Sequence, residues 1–117
     1  MNNNTLFLPL KAKWYDMIES GEKDEEYREI KPYWIKRLID PSGFYSIPTE
    51  EDVKSEEFKS LCFDPFKSFC KVIFSYGYTK RRMTFECKGI DIDTGIQEWG
   101  AEPNKEYFVI KLGRRLK

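Results

Sequence analysis

The stretch Ser20-Gly21-Glu22-Lys23-Asp24-Glu25-Glu26-Tyr27-Arg28 lies between two short amphipathic patterns. It places a glycine, a lysine, several acids, a tyrosine and an arginine in nine consecutive residues. Two interpretations are open. The charges cover the solvated face of an edge strand that follows a helix C-cap, as most charge runs do. Alternatively, Lys23, Glu26 and Arg28 converge on a polar ligand.

An amphipathic helix is predicted upstream of this stretch. Trp14, Met17 and Ile18 recur at three- and four-residue spacing, so the helix should begin near Lys11. Gly21 stands where a left-handed helix C-cap is expected.

The first turn of this helix carries lysines in place of the acids that would suit the helix dipole. Lys11 and Lys13, together with free backbone N–H groups, are compatible with a phosphate site. The alternative, that both lysines simply point into water, is also compatible with the pattern.

An extended segment is predicted from Lys23 to Ile30. Alternation places Glu26 and Arg28 on one face and Glu25 and Tyr27 on the other. Lys23 has the opposite parity from Glu26, so the two side chains meet only if Lys23 lies in the turn or the strand bulges.

The remaining patterns predict a small α+β fold made of one domain over residues 1–117. A first strand, Thr5 to Leu10, is placed at a sheet edge by Pro9. Pro32 begins a second helix. The other predicted elements are a helix near 50–61 with a Thr49–Asp52 capping box, a hairpin over Val72–Tyr76 and Met83–Lys88, and a last strand over Glu106–Leu112.

The mostly antiparallel strands are expected to close into a compact β-barrel, which hides sheet edges, with two or three flanking helices. Residues 1–4 are predicted to be a disordered leader, and residues 40–69 a loop-rich insertion.

Composition excludes several classes of site. The chain has no histidine, which removes Ser-His and Cys-His nucleophilic sites and the commonest zinc ligand. Cys62, Cys70 and Cys87 form no CxxC pair and have apolar neighbours, so they are predicted to be buried, reduced thiols. No metal or other cofactor is expected.

The formal charge is zero, with 20 basic and 20 acidic residues, so a strongly basic field is absent, although a local basic patch is compatible with the order of charges. No apolar run reaches membrane-spanning length and no signal peptide is evident. We expect a cytoplasmic protein that does not enter a membrane.

The motif Gly21-x-Lys23-x-x-Glu26-x-Arg28, after a strand and a helix that contains tryptophan, resembles the signature of the activating signal cointegrator homology (ASCH) domain, of the PUA-like superfamily. The resemblance extends to Leu10-x-x-x-Trp14, Tyr33-Trp34 and the segment Tyr107–Leu112. It covers Leu6 to Leu112, with residues 40–69 unmatched.

The resemblance implies a five- or six-stranded β-barrel with helices beside it, and a cleft between barrel and helices where family members bind RNA or nucleotides. One subgroup of small bacterial members hydrolyses the amide of N4-acylated cytidine, and another is similar to a ribonuclease. In the amidohydrolase, the motif lysine works with a threonine at the place that Glu26 holds here. A later glutamate completes that site, for which Glu98 and Glu102 are the candidates.

The first functional hypothesis is therefore an RNA- or nucleotide-binding domain. Its predicted contacts to phosphate, base edges and base faces come from cations and aromatic side chains, namely Lys11, Lys13, Lys23, Arg28, Trp14, Tyr27 and Trp34.

The alternative is a metal-free amidohydrolase or nuclease that acts on a modified nucleoside of the N4-acylcytidine type or on RNA, with Lys23 and Glu26 as catalytic groups. Lys23 would act as a base of lowered pKa, or as a cation that stabilises an oxyanion while a glutamate acts as base. Both roles stay open. A third reading is structural: Glu26 and Arg28 pair to seal the cleft without any ligand.

Overall fold

The computed structural model describes residues 5–117, so the predicted leader at residues 1–4 lies outside the described residues. The strands are β1 (Thr5–Leu10), β2 (Glu25–Glu29), β3 (Lys71–Tyr76), β4 (Arg82–Thr94) and β5 (Glu106–Arg115). The α-helices are α1 (Ala12–Ser20), α2 (Pro32–Leu38), α3 (Glu50–Lys54) and α4 (Glu56–Lys59).

The five strands form one sheet in the order β1-β3-β4-β5-β2. The β1–β3 pair is parallel and the other three pairs are antiparallel. Pro9 is tolerated in β1 because β1 is an edge strand, where a missing N–H breaks no ladder. The predicted α+β class and the edge position of the first strand are confirmed.

The sheet curls into a half-barrel, where the sequence predicted a closed one. Its two edges, β1 and β2, approach each other without a ladder between them in the described part of the chain. A side chain spans this seam: Arg28 Nη2 on β2 donates to the carbonyl of Pro9 on β1 at 3.1 Å. One guanidinium thus replaces part of the backbone pairing that full closure would supply.

The main apolar core lies between the sheet and the helices. It contains Leu8 and Phe74 from the strands, Tyr15 and Ile18 from α1, and Ile35 from α2. These side chains are almost fully buried, and such burial is the main stabilising contribution to folding. A second, smaller cluster joins β2 and β5 to the loop before β5, and consists of Tyr27, Ala101, Tyr107 and Val109.

Helix α1 begins and ends, and helix α2 begins, where the sequence predicts. Lys11 is the N-cap of α1, and Gly21 ends it in the left-handed conformation with φ 89°. Pro32 is the first residue of α2. A proline fits there because the first helical N–H has no partner in the helix.

The prediction of one continuous helix near 50–61 is wrong. The capping box of Thr49 and Asp52 is present, but α3 ends at Lys54 and α4 starts at Glu56. Ser55 between them is extended, with ψ 158°, and its Oγ accepts from Phe58 N at 3.1 Å. Ser55 therefore acts as a second N-cap, which interrupts the helix.

Strand β4 is longer than predicted. Its second half, as far as Thr94, pairs with β5, for example Ile90 with Ile110. The register shifts between Cys87 and Gly89, where Gly89 adopts φ 139°. A glycine permits this conformation, so the strand bends there and continues to the smaller cluster.

The prediction that all three cysteines are buried is wrong. Cys62 and Cys70 are exposed and Cys87 is half-buried. Cys62 follows α4 and Cys70 precedes β3, where neighbouring apolar side chains such as Phe69 pack against the core instead. Burial raises the pKa of the Cys87 thiol.

Candidate functional site

Lys23 lies in the turn between α1 and β2, with its side chain directed inward. The backbone N–H of Lys23 donates to Met17 O at 3.0 Å, directly after the left-handed Gly21. Only 1% of the residue is exposed, which is exceptional for a lysine. The expectation that Lys23 reaches Glu26 from the turn is confirmed, and the Gly21 C-cap sets that turn.

Glu26 stands between two cations. Its Oε1 accepts from Lys23 Nζ at 2.7 Å, and its Oε2 accepts from Arg28 Nη1. Lys23 Nζ donates a second hydrogen bond to the carbonyl of Glu25. The predicted strand parity is confirmed, because Glu26 and Arg28 share one face of β2. The three side chains form a buried network with one negative and two positive groups.

Burial dominates the electrostatics of Lys23. Desolvation lowers its pKa from the usual 10.5, while the charge and hydrogen bond of Glu26 oppose that change. The ammonium also lies 4.8 Å from the ring centroid of Tyr27 and 6.0 Å from that of Trp14. These aromatic faces stabilise a cation that water does not reach.

Tyr27, on the opposite face of β2, holds the loop before β5 in place. Its hydroxyl donates to Glu25 Oε2 at 2.7 Å and accepts from Ile96 N at 3.0 Å. Burial raises the pKa of Tyr27, so the hydroxyl stays neutral. Tyr107 acts in the same way, since its hydroxyl accepts from Glu102 N at 3.0 Å. Two buried phenols thus fix residues 96–102.

An open cleft of about 610 Å³ lies above this network, between the edge strand β2, the starts of α1 and α2, and the loop before β5. Aromatic and charged side chains line most of it, together with Pro9, Leu10 and Gly100. The aromatic and charged residues are Lys11, Trp14, Glu26, Tyr27, Arg28, Glu29, Lys31, Tyr33, Trp34, Trp99, Glu102 and Tyr107. Both faces of β2 contribute because β2 is an edge strand of the sheet.

Three indole rings reach the cleft from three separate elements: Trp14 from α1, Trp34 from α2 and Trp99 from the loop. Trp14 lies against Gly100, where an added Cβ would come within 3.0 Å of the indole. Trp34 is held by Arg28, whose guanidinium lies 5.2 Å from its ring centroid. The network below the cleft and the aromatic walls are therefore in direct contact.

The cations at the rim differ in their partners. Lys105 pairs with Glu29 at 2.7 Å and with Glu102 at 3.6 Å, so these two acids are largely neutralised. Among residues 5–117, no carboxylate lies within 4 Å of Lys11 or Lys31. These two lysines leave the rim able to bind an anion, while the flat aromatic walls suit a planar group.

The structure brings most of the predicted site residues together, but two lie elsewhere. Lys23 lies beneath the cleft and does not line it. Lys13 is outside it, with Nζ 4.9 Å from the Trp14 ring centroid. Of the two glutamates considered for completing the site, Glu102 lines the cleft, whereas Glu98 is exposed and does not.

Several residues that line the cleft were not predicted from the sequence, among them Lys31, Tyr33 and Trp99. A signal for Lys31 existed, because it precedes the Pro32 helix start just as Lys11 precedes α1. Trp99 offered no local signal, because its place depends on the long-range bonds of Tyr27 and Tyr107.

In the described part of the chain, no helix is long and apolar enough to cross a bilayer. Within residues 5–117, no group of three or more acids and cysteines is arranged to hold a metal ion. No known protein family, characterised protein or solved structure matches the chain.

Proposed function

We propose that this chain is an ASCH domain of the PUA-like type that binds single-stranded RNA or a nucleotide in the cleft. The observation that carries the proposal is the combination of three tryptophans with two unpaired lysines around one open cavity. Stacking on aromatic side chains contributes about 1–3 kcal/mol per base, and it is the usual way in which proteins hold unpaired bases.

Each part of a nucleotide has a matching group in the cleft. Trp14 and Trp34 line the cleft and would stack on a base, and Lys11 and Lys31 would donate to a phosphate. Glu26 accepts two hydrogen bonds from protein, and its remaining lone pairs are available to the donors on a base edge. The positions of the motif residues support the family assignment. Glu26 and Arg28 line the cavity, Lys23 lies beneath it, and Gly21 forms the turn before Lys23.

The test is a fluorescence-anisotropy titration with a labelled single-stranded RNA of about ten nucleotides, at low and at physiological salt. We expect Trp34→Ala and Lys11→Ala each to weaken binding about tenfold, because each removes about 1–2 kcal/mol of stacking or charge-assisted contact. Tyr45→Ala and Lys36→Ala are the matched controls, since both residues are exposed and lie outside the cleft. Absence of binding by the unaltered protein at low salt would reject the proposal.

A second candidate function is a metal-free amidohydrolase acting on an N4-acylated cytidine. It is favoured by one observation, the buried Lys23 of lowered pKa bonded to a carboxylate on the cleft floor. Because Lys23 itself is covered, Glu26 would face the substrate and take a proton from the water whose oxygen attacks the acyl carbonyl. The amide C–N bond then breaks, and Glu26 returns the proton to the departing N4 amine, so that cytidine and the carboxylic acid are released. Lys23 would hold Glu26 in position throughout. Chromatography measures the rate at which cytidine is released from N4-acetylcytidine. We expect this rate to fall at least a hundredfold in Glu26→Gln. Equal rates for Glu26→Gln and Lys36→Ala would exclude this chemistry.

A further inference from the structure

A second basic surface lies beside the last turn of α1, where Glu19 pairs with Arg81 and Arg115. The start of β4, directly after the turn between β3 and β4, pairs with the segment after Leu112, because Leu116 N donates to Thr84 O at 2.7 Å and Arg115 stands opposite Phe85. The two segments bring six cations together, which we call the hairpin patch: Lys80, Arg81, Arg82, Arg114, Arg115 and Lys117.

The acids near the hairpin patch neutralise only part of it. Glu19 is shared by Arg81 at 2.9 Å and Arg115 at 3.9 Å, and Glu86 lies 3.8 Å from Arg114. Among residues 5–117, no carboxylate lies within 4 Å of Lys80, Arg82 or Lys117. The whole chain has no net charge, so this local excess of positive charge reflects placement and not composition.

The turn also presents an aromatic ring to solvent. Tyr78 is 96% exposed and stands two residues before Lys80. The turn around it is braced, since Ser75 Oγ donates to Gly77 O and Thr79 Oγ1 donates to Tyr76 O, both at 2.7 Å. An exposed ring among cations on a braced turn suits a single-stranded nucleic acid, which offers a phosphate for each cation and a base for the ring.

The hairpin patch is connected to the rim of the cleft. Gly77 N donates to Leu10 O at 2.7 Å, so the turn starts beside the end of β1. Leu10 and the next residue, Lys11, line the cleft. A nucleic acid strand that leaves the cleft past Lys11 therefore meets the hairpin turn next.

We propose that the hairpin patch binds the phosphodiester backbone, and Tyr78 one base, of the same single-stranded RNA whose nucleotide occupies the cleft. This proposal rests on the proposed function of the cleft. The surfaces that an RNA contacts depend on its length. A nucleotide or a very short oligomer binds in the cleft alone, while a longer strand binds to both surfaces.

The test compares two labelled RNA lengths, about four and about sixteen nucleotides, by anisotropy at several salt concentrations. The variant Lys80→Glu/Lys117→Glu reverses two patch charges whose side chains make no hydrogen bond or ion pair with the other residues in 5–117. Its control, Lys36→Glu/Lys88→Glu, changes the net charge equally at exposed positions outside both surfaces. Tyr78→Ala, with Tyr45→Ala as its control, tests the ring without any change of charge.

We expect the patch variant to bind the longer RNA at least tenfold more weakly than its control and the short RNA equally well. Two lost phosphate contacts should reduce the slope of log K against log salt by about 1.4, at about 0.7 for each contact on single strands. Tyr78→Ala should weaken only the binding of the longer RNA.

The outcomes separate the two surfaces. If the patch variant and its control bind the longer RNA alike, with equal salt slopes, the hairpin patch has no such role, even when Trp34→Ala still weakens binding in the cleft. If the patch variant loses affinity while Trp34→Ala does not, the patch is supported and the proposed function of the cleft fails. If the unaltered protein binds neither RNA length, both proposals are overturned.

Discussion

Lys23 is the residue on which the candidate site depends most. A buried ammonium is costly unless it is paired and hydrogen-bonded, and Lys23 has a carboxylate, a carbonyl and two aromatic rings around it. A buried ion pair adds little net stability compared with an apolar pair of similar size. The position of the Lys23–Glu26 pair beneath an open aromatic cleft is therefore better explained by a role in the cleft than by a contribution to folding stability.

Replacing Lys23 with Met keeps the length of the side chain and removes the charge. We expect the free energy of unfolding at pH 7 to fall by about 3 kcal/mol, because Glu26 loses one of its two buried cations. Urea unfolding monitored by circular dichroism measures the change. Lys36→Met, at an exposed position, should alter the free energy of unfolding by no more than about 0.5 kcal/mol.

The pH dependence of this difference has a definite sign. The folded-state pKa of Lys23 is lowered below the usual 10.5, so between the two values the unfolded chain binds more protons than the folded one. Stability of the unaltered protein should thus rise, relative to Lys23→Met, as the pH increases towards 10.5. The raised pKa of Tyr27 acts in the opposite direction at higher pH, but it is common to both proteins and cancels. A difference that stays constant as the pH approaches 10.5 would show that folding does not lower the pKa of Lys23.

Strand parity was sufficient to predict which side chains of β2 share a face, and that Lys23 joins Glu26 from the turn. It was not sufficient to predict that Lys23 is covered. That depends on Trp14 and Tyr27, which are held in turn by Gly100 and Ile96 some seventy or more residues further on. Local patterns contain no information about such long-range contacts.

At the scale of elements, local signals located helix ends better than strand ends. The capping residues Lys11, Gly21 and Pro32 act within one turn of the chain, so the ends of α1 and the start of α2 were predictable. Ser55 is also a local capping signal, because it is the N-cap of α4 and separates α4 from α3. The apolar spacing of the region predicted one continuous helix instead. The far half of β4 exists because β5 pairs with it, which alternation within β4 does not reveal.

The loop before β5 is the element whose conformation is least predictable from the sequence. It supplies Trp99 and Glu102 to the cleft, yet it contains only a short 3₁₀ turn, Gln97–Trp99. Gly95 allows the loop to approach β2, since an added Cβ there would come within 2.8 Å of the Tyr27 ring. The cleft is thus completed by a loop whose conformation the sheet imposes.

For the whole molecule, the half-barrel leaves one seam between β1 and β2, and the candidate site lies at its end. Arg28 is the contact that spans the seam. It bonds to Glu26 and to its own strand at Tyr27 O, reaches Pro9 O on β1, and lies over Trp34 of α2. One side chain therefore couples the two sheet edges, the buried network and the aromatic wall of the cleft.

We expect Arg28→Lys to lower the free energy of unfolding by about 1–3 kcal/mol, because an ammonium cannot make the forked contacts to Glu26 and Pro9 O together. Hydrogen exchange should then increase in β1 and β2 before the rest of the sheet. Arg37→Lys is the matched control, since Arg37 also lies over Trp34, at 5.7 Å, but is exposed.

If RNA binding persists in folded Arg28→Lys, Arg28 only seals the seam. If RNA binding is lost while β1 and β2 stay protected, the guanidinium contacts the ligand directly. Equal, small effects of Arg28→Lys and Arg37→Lys on stability would show that the seam is held by other contacts.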